Sequence, residues 1–456
     1  MNSDKFCYGL CWFFLALGVF SRIFIYAKGQ DLWLDEALLW EDLKPLIGSF
    51  CLSEFALRFL PLLAGTGTLL LSYIFALREF GVRFACIFLF LLVSSDSLLF
   101  YSVNFSFYGT EAFLVAMSLC VWSYSKRNRV SLISLISLVS IFSIMCNYGE
   151  YRGGAYWLNL DAASGPVHGF IIFLIWFRDF FVQMLGRHFI NFHYFVFGKF
   201  IWINALLFVL PFCIGSVFLY REKKALLISI FSAVFILLSL YLLKIAPLEM
   251  PYNDFMRIMR NWSQTQVTSS KYLTFIFPLV LIPVAFFIHR IFLRVRTQTL
   301  IPVLCIFALL ALSGNLIRMH KGIGSPESTV LLQHIKENAG GKSLVFTDSV
   351  SRPIFKYYVS KNFFKDNPNL NYFYVKEDGY MYLNDSIFIG KYSGSIEELF
   401  DVMKNFKAEN GFFFLTYNSF YSIRESNELI GYIQQKYEGK SKGFQSKLAG
   451  AAWVRF

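Results

Sequence analysis

The sequence predicts an α-helical polytopic membrane protein with about nine transmembrane helices and a C-terminal extracytoplasmic α/β domain. Three observations predict it. The 456 residues are 56% hydrophobic and only 16% charged, with a mean hydropathy of +0.52, too apolar for a soluble chain of this size. Several apolar runs reach the roughly 20 residues that a spanning helix needs, which argues against the short alternating strands of a β-barrel. After Leu316 the composition changes, and Lys, Asn, Asp and Glu become frequent.

Nine apolar runs have the length to span: 6–26, 55–77, 82–99, 108–124, 130–147, 198–220, 224–243, 271–292 and 299–317. The first begins after Lys5 and continues to Tyr26 with no small-residue cleavage motif, the pattern of an uncleaved signal anchor. Short basic connections set the orientation. Arg78 with Arg83, Lys126 to Arg129, Arg221 to Lys224, and Arg290 to Arg296 all belong inside by the positive-inside rule. Alternation then puts the N-terminus inside and the Asp31–Glu36 loop, residues 148–197, residues 244–270 and everything after 318 outside. This requires that 166–185 not cross. That segment carries Arg178 and Asp179 mid-run and is rich in aromatics, as expected of a helix lying in the interface.

Residues 1–318 thus form the membrane domain, with an outer loop at 27–54 and an interfacial loop at 148–197, and residues 319–456 form the outer domain. Within the latter, periodicity predicts helices at 327–338, 353–359, 395–408 and 426–437, and strands at 343–347, 387–390, 412–416 and 449–456. Alternating helix and strand implies a small open sheet. It has no glycine-rich phosphate loop. The net charge of +12 is scattered over many loops with no basic stripe, so anionic lipid headgroups or phosphates, and not nucleic acid, are the expected partners. Of eight cysteines only Cys51 lies clearly in a loop, and neither a disulfide framework nor zinc spacing appears.

The stretch Asp31-Leu-Trp-Leu-Asp35-Glu36-Ala37 follows the first span and places adjacent carboxylates just outside the membrane. That position suits a general base acting on a lipid-carried substrate; it equally suits acids that cap a following helix over Ala37–Trp40. In the hairpin Tyr101-Ser102-Val-Asn104-Phe-Ser106-Phe-Tyr108, polar side chains interrupt an apolar pair of spans on the same side, and a plain turn explains Ser102 and Asn104 as well. Glu111, one turn into the next helix, is costly there and so expected to be paired or functional. Arg22 and Arg58 lie near the outer ends of their spans, and Arg22 in particular is expected to snorkel to the interface. Together with Arg257, Arg260 and Lys271, the outer cations offer a seat for a phosphate.

Leu32-Trp-Leu-Asp35-Glu36-Ala37, Ala56-Leu-Arg58-Phe-Leu-Pro61-Leu-Leu-Ala-Gly65, the Tyr101–Tyr108 hairpin and Lys271-Tyr272-Leu-Thr-Phe-Ile-Phe-Pro278 together resemble bacterial membrane glycosyltransferases of the GT-C superfamily, of the protein mannosyltransferase and lipid A aminoarabinose transferase type. The C-terminal stretches Leu332-Gln-His-Ile335-Lys-Glu-Asn338 and Pro353-Ile-Phe-Lys-Tyr357-Tyr358 resemble the extracytoplasmic domain of many such proteins. The resemblance implies inverting transfer of a sugar from a polyprenyl-phosphate donor, on the outer face of the cytoplasmic membrane, to an acceptor hydroxyl on a glycan, lipid or protein. It implies Asp35 as the catalytic carboxylate with Glu36 beside it, and a binding surface from Arg58, Tyr101, Asn104, Tyr108, Arg257, Lys271 and Tyr272. Members of the family commonly have an acid where Asn104 stands and a base where Ser106 stands. Asn104 offers an oxygen without the charge that holds a divalent metal, so a metal is a possible cofactor with no ligand assigned.

The chemistry is consistent with this. A base must take the acceptor proton as its oxygen attacks the anomeric carbon, whereas the phosphate leaving group needs only positive charge. Two other classes fit the same composition. A lipid or solute transporter would line a pathway with its intramembrane charges, but no duplicated halves with interrupted helices are visible. An idle glycosyltransferase-like assembly partner would explain the departures at Asn104 and Ser106.

Overall fold

In a computed structural model of the chain, residues 3–29, 31, 36, 37, 39–41, 43, 53–125, 201–242, 276–293, 306, 309, 328–347, 351–375, 379–393, 395–416, 431, 435, 441–445 and 449–455 are described. Two compact units form: Met1–Lys28 with Phe55–His320, and Gly29–Glu54 with Lys321–Phe456. The second unit therefore takes in residues 29–54, which the sequence assigns to the membrane domain.

The first unit is helical. Its described helices are α1 (Ser3–Lys28), α2 (Glu54–Phe80), α3 (Val82–Ser94), α4 (Asp96–Tyr101), α5 (Phe107–Tyr124), α6 (Ile201–Leu242) and α7 (Phe277–Phe292). Of these, α1 and α2 are long and apolar enough to cross a membrane, and α3 and α7 are shorter apolar helices. Asp4 in the first turn of α1 and Lys28 in its last complement the helix dipole. Helix α6 joins the expected runs 198–220 and 224–243 through a break at Lys223, whose backbone leaves the helical region (φ −135°, ψ 52°). The run expected as one span over 82–99 is two helices. Ser95 is extended (φ −72°, ψ 116°), and its hydroxyl accepts from the Leu98 amide at 3.2 Å, so it caps α4 and ends α3. The expected span at 130–147 and the interfacial loop 148–197 lie outside the described residues. Of 299–317 only Ile306 and Leu309 are described, both helical.

Helix ends rich in base meet at one end of this unit. Arg83 Nε lies 3.1 Å from Asp4 Oδ1, tying the start of α3 to the start of α1. Arg78, at the end of α2, donates to the Ser123 carbonyl at 2.8 Å and stacks 3.9 Å over the Tyr124 ring at the end of α5. Lys223 reaches Glu79 at 3.2 Å, and Arg290, at the end of α7, pairs with Glu222. Arg78, Arg83, Lys223 and Arg290, in these contacts, are among the bases that the positive-inside rule assigns to a common side. Between the ends runs a core of Phe14, Phe75, Phe84, Phe88, Leu89, Phe277, Leu281 and Phe286, in which α3 packs on α1 and α7, and α6 packs on α7.

The second unit is a seven-stranded sheet in the order β4-β3-β2-β1-β5-β7-β6. The strands are β1 (Ser343–Thr347), β2 (Leu370–Val375), β3 (Tyr380–Leu383), β4 (Ile387–Lys391), β5 (Asn410–Thr416), β6 (Ser441–Gln445) and β7 (Ala449–Arg455). Helices α8 (Ser328–Asn338), α9 (Arg352–Ser360) and α10 (Ile396–Asn405) complete its described elements. Fully buried β1 pairs in parallel with β2 and β5, while β3, β4, β6 and β7 add antiparallel margins. Strand alternation separates two faces. Leu344, Phe346, Phe373 and Phe413 pack against Leu399, Phe400 and Met403 of α10. On the opposite face Phe355 of α9 meets Tyr372 and Phe414. The predicted helix at 327–338 and strands at 343–347, 387–390 and 412–416 coincide with α8, β1, β4 and β5 to within two residues. Strands β2, β3 and β6 were not expected. In the predicted helix at 426–437 only Gly431 and Gln435 are described, both helical.

Candidate functional site

The predicted site residues fall in both units. In the first, the 101–108 hairpin folds as a tight turn. Ser102 Oγ donates to the Leu99 carbonyl at 2.7 Å, the Val103 amide to Phe100 at 3.2 Å, and the Ser106 amide to Asn104 at 2.8 Å. Extended Ser106 (φ −151°, ψ 161°) then starts α5. Tyr101 and Tyr108 meet edge to face with ring centroids 5.1 Å apart. Two glycines allow the turn to pack. A Cβ on Gly109 would lie 2.5 Å from the Tyr101 carbonyl oxygen, and one on Gly65 of α2 would collide with the Ser102 side chain. Ile25, Leu62, Leu99 and Val103 form a small apolar core that joins α1, α2 and the turn.

In this turn and elsewhere the unit buries polar groups that an apolar interior disfavours. Arg58 is 4% exposed and Glu111 is 0% exposed, and Ser102, Asn104, Ser106 and Tyr108 are buried as well. Arg22 corrects the expectation of snorkelling. It is 1% exposed, enclosed by protein, and its Nη1 donates to the Gly18 carbonyl one turn back at 3.0 Å. The side chains of Leu69 and Val93 close over Gly18, leaving that turn of α1 facing protein and not lipid. A buried guanidinium is disfavoured unless opposite charge or hydrogen-bond acceptors compensate it, so Arg22 joins Arg58 as a buried cation of this unit. Arg257, Lys271 and Tyr272 lie outside the described residues.

In the second unit the acid-bearing segment is held to the C-terminal domain on both sides of its motif. The Asp31 carboxylate accepts from the Thr329 amide at 2.8 Å and from its hydroxyl at 2.6 Å. It thereby caps α8 at its positive end. Asp35 and Trp33 lie outside the described residues. Glu36 is 1% exposed, and Glu36, Ala37, Leu39, Trp40 and Glu41 are helical. Trp40 meets Tyr357 of α9 edge to face at 5.1 Å, and Lys356 Nζ of α9 lies 3.0 Å from Glu41 Oε1.

Lys356 belongs to a closed charge set. Its ammonium also lies 2.9 Å from Asp385 Oδ2, Arg352 Nε is 2.8 Å from Asp385 Oδ1, and the Tyr372 hydroxyl donates to Asp385 Oδ2 at 2.9 Å. Arg352 also stacks 4.3 Å over the Tyr374 ring. Burial alone would raise the Asp385 pKa, but hydrogen bonds from Arg352, Lys356 and Tyr372 outweigh it and hold the carboxyl below its ordinary value. Burial likewise works against the Arg352 and Lys356 cations; bonds to Asp385, and for Lys356 also to Glu41, outweigh it and raise both. For Tyr372, burial and the bond to Asp385 act together to raise its phenol. Two cations facing two carboxylates make a self-neutralising cluster, suited to joining segments.

No signal in the sequence pairs Asp31 with Thr329 or Glu41 with Lys356, because the partners are hundreds of positions apart. Asn384 and Asp385, by contrast, are turn-forming residues. Their left-handed φ of 49° and 66° makes the β3–β4 connection, which aims Asp385 at α9. Among the described residues, no group of three or more His, Cys, Asp or Glu is arranged to hold a metal ion. No protein-family model matches the chain, and no curated protein matches it.

Proposed function

We propose that this protein is a membrane glycosyltransferase that moves a sugar from a polyprenyl-phosphate donor to an acceptor hydroxyl, with inversion, on the outer face of a bacterial cytoplasmic membrane. In this proposal nine helices span, the N-terminus lies inside, and the sheet domain lies outside. Asp35 takes the acceptor proton as its oxygen bonds to the anomeric carbon and the polyprenyl phosphate leaves. Arg58, with Arg257 and Lys271, carries the charge that receives the leaving phosphate, and Tyr101, Asn104, Tyr108 and Tyr272 line the sugar. Glu36 supports Asp35.

The observation that carries the proposal is the burial of Arg58 and Glu111 in a largely apolar helical unit that also buries the polar side chains of the Tyr101–Tyr108 turn. Buried ionisable groups in spanning helices are rare and mark functional paths and sites. Membranes containing the protein, given labelled polyprenyl-phosphate sugars, should label an acceptor and release free polyprenyl phosphate. Asp35→Asn should abolish that transfer while the protein still inserts and folds, and Glu36→Gln should reduce it less. Near-normal turnover by Asp35→Asn would refute the assignment, and movement of intact donor without cleavage would identify a transporter instead.

A further inference from the structure

We propose that Lys356 is a positioning residue. Through Glu41 and Asp385 it fastens the acid-bearing segment to the C-terminal domain, so that this domain holds the helical stretch that begins at Glu36. The inference deepens the proposed function and, for its catalytic consequence, rests on that reading.

The argument begins with chain geometry. Asp31 is fixed by its bonds to Thr329, and Trp40 and Glu41 are fixed by α9. Consecutive Cα atoms are about 3.8 Å apart, so Asp35 is covalently confined within one such step of Glu36. Anchors therefore stand on each side of the motif, at Asp31 and at Trp40 with Glu41. The second anchor is the Glu41 side. It couples a salt bridge to a ring contact on the adjacent residue, and Lys356 is itself braced by Asp385. Asp385 is in turn held by Arg352 and Tyr372, on α9 and β2. The chain Glu41–Lys356–Asp385–Tyr372 therefore runs from the segment into the sheet without a break.

Lysine suits the middle of this chain because one ammonium can donate to both carboxylates at once. Removing it leaves Glu41 and Asp385, both partly buried, facing each other without the intervening cation. Asp385 would keep its bonds to Arg352 and Tyr372, but Glu41 would lose its ion pair and the segment its charged link to α9. A basic group restored at this position should restore the hold.

Amide hydrogen exchange on the full-length protein in lipid nanodiscs tests this, comparing wild type with Lys356→Met and Lys356→Arg. Exchange over residues 31–43 should accelerate about tenfold or more in Lys356→Met, remain unchanged in β1 and β5, and return towards wild type in Lys356→Arg. In the transfer assay Lys356→Met should lower kcat, with the KM for donor nearly unchanged. Trp40→Ala, which leaves the charges intact, should loosen the same residues to a smaller degree. Unchanged exchange over 31–43 in Lys356→Met would overturn the proposal, whatever Trp40→Ala does, as would equal acceleration in β1 and β5. If wild-type protein transfers no sugar although Lys356→Met loosens 31–43 selectively, the glycosyltransferase reading falls and the fastening role stands.

Discussion

Asp31 and Thr329 are 298 positions apart in the chain, yet one carboxylate takes both the amide and the hydroxyl hydrogen bond of that threonine. Most helices are capped by the residue just before them; here α8 takes its cap from the segment after the first helix. The bond makes residues 29–54 part of the sheet domain's fold, and its loss should be felt there.

Asp31→Ala should destabilise the sheet domain by about 1–2 kcal/mol, the range of a lost N-cap. Thr329→Val should cost less, because it keeps the amide donor. Thermal unfolding of the detergent-solubilised protein, with hydrogen exchange at α8 as the local probe, would measure both. An unaltered α8 in Asp31→Ala would show that the cap contributes nothing.

The charge set at Asp385 gives a pH dependence whose sign can be worked out. The Asp385 pKa is lowered in the fold, so its contribution is complete above the unfolded value of about 3.9 and is lost as pH falls below it. Those of Arg352 and Lys356 are raised, so the Lys356 contribution is complete below about 10.4 and is lost as pH rises through its folded value. Between those limits the stability from this cluster should be level. Asp385→Asn should flatten the acid limb and lower stability near neutrality, which a series of Tm measurements from pH 3 to pH 11 would show.

Arg58 carries the clearest prediction for the helical unit. In the proposed reaction, Arg58→Met should cut transfer from a polyprenyl-phosphate sugar by about 100-fold or more, the scale of losing one charge-stabilising donor. Arg58→Lys should recover only part of it, since an ammonium does not reproduce the guanidinium fork. Wild-type turnover in Arg58→Met would remove this residue from the phosphate seat.

Gly65 and Ser102 should behave as a coupled pair. Gly65→Ala forces the new Cβ against the Ser102 side chain, an overpacking cost of about 1–3 kcal/mol. Ser102→Gly clears that space, so the double variant should be more stable than the sum of the single changes predicts. Strict additivity would mean that the two do not touch.

Much of the sheet domain was legible because its buried helices and strands carry their periods plainly. Leu331, Leu332 and Ile335 mark the buried face of α8, and the apolar run of β1 fits a strand covered on both sides. Strand β6, Ser-Lys-Gly-Phe-Gln, was missed because it is a polar edge strand without alternation, held by its pairing to β7. Strand β2 carries Tyr372, Phe373 and Tyr374 in succession, aromatic on both faces, which blurs a two-residue period, and β3 is only four residues long. The Asn384-Asp385 turn was a readable sign of the β3–β4 hairpin. In the helical unit, the break at Ser95 was hidden in a continuous apolar count, although Ser94-Ser95-Asp96-Ser97 has the composition of a helix start. Of the site, the Asp35 motif and the polar turn stood out locally, whereas the burial of Arg22 depends on neighbours from α2 and α3 that no local pattern announces.

The long reach of the Asp31–Thr329 bond also sets a schedule for biosynthesis. At about 5–20 residues per second, 298 residues take roughly 15–60 s to translate, during which Asp31, Trp40 and Glu41 have been made and their partners have not. The ribosome must deliver about three quarters of the polypeptide before the acidic loop finds its seat. A chain truncated before α8 should leave that loop open to proteases.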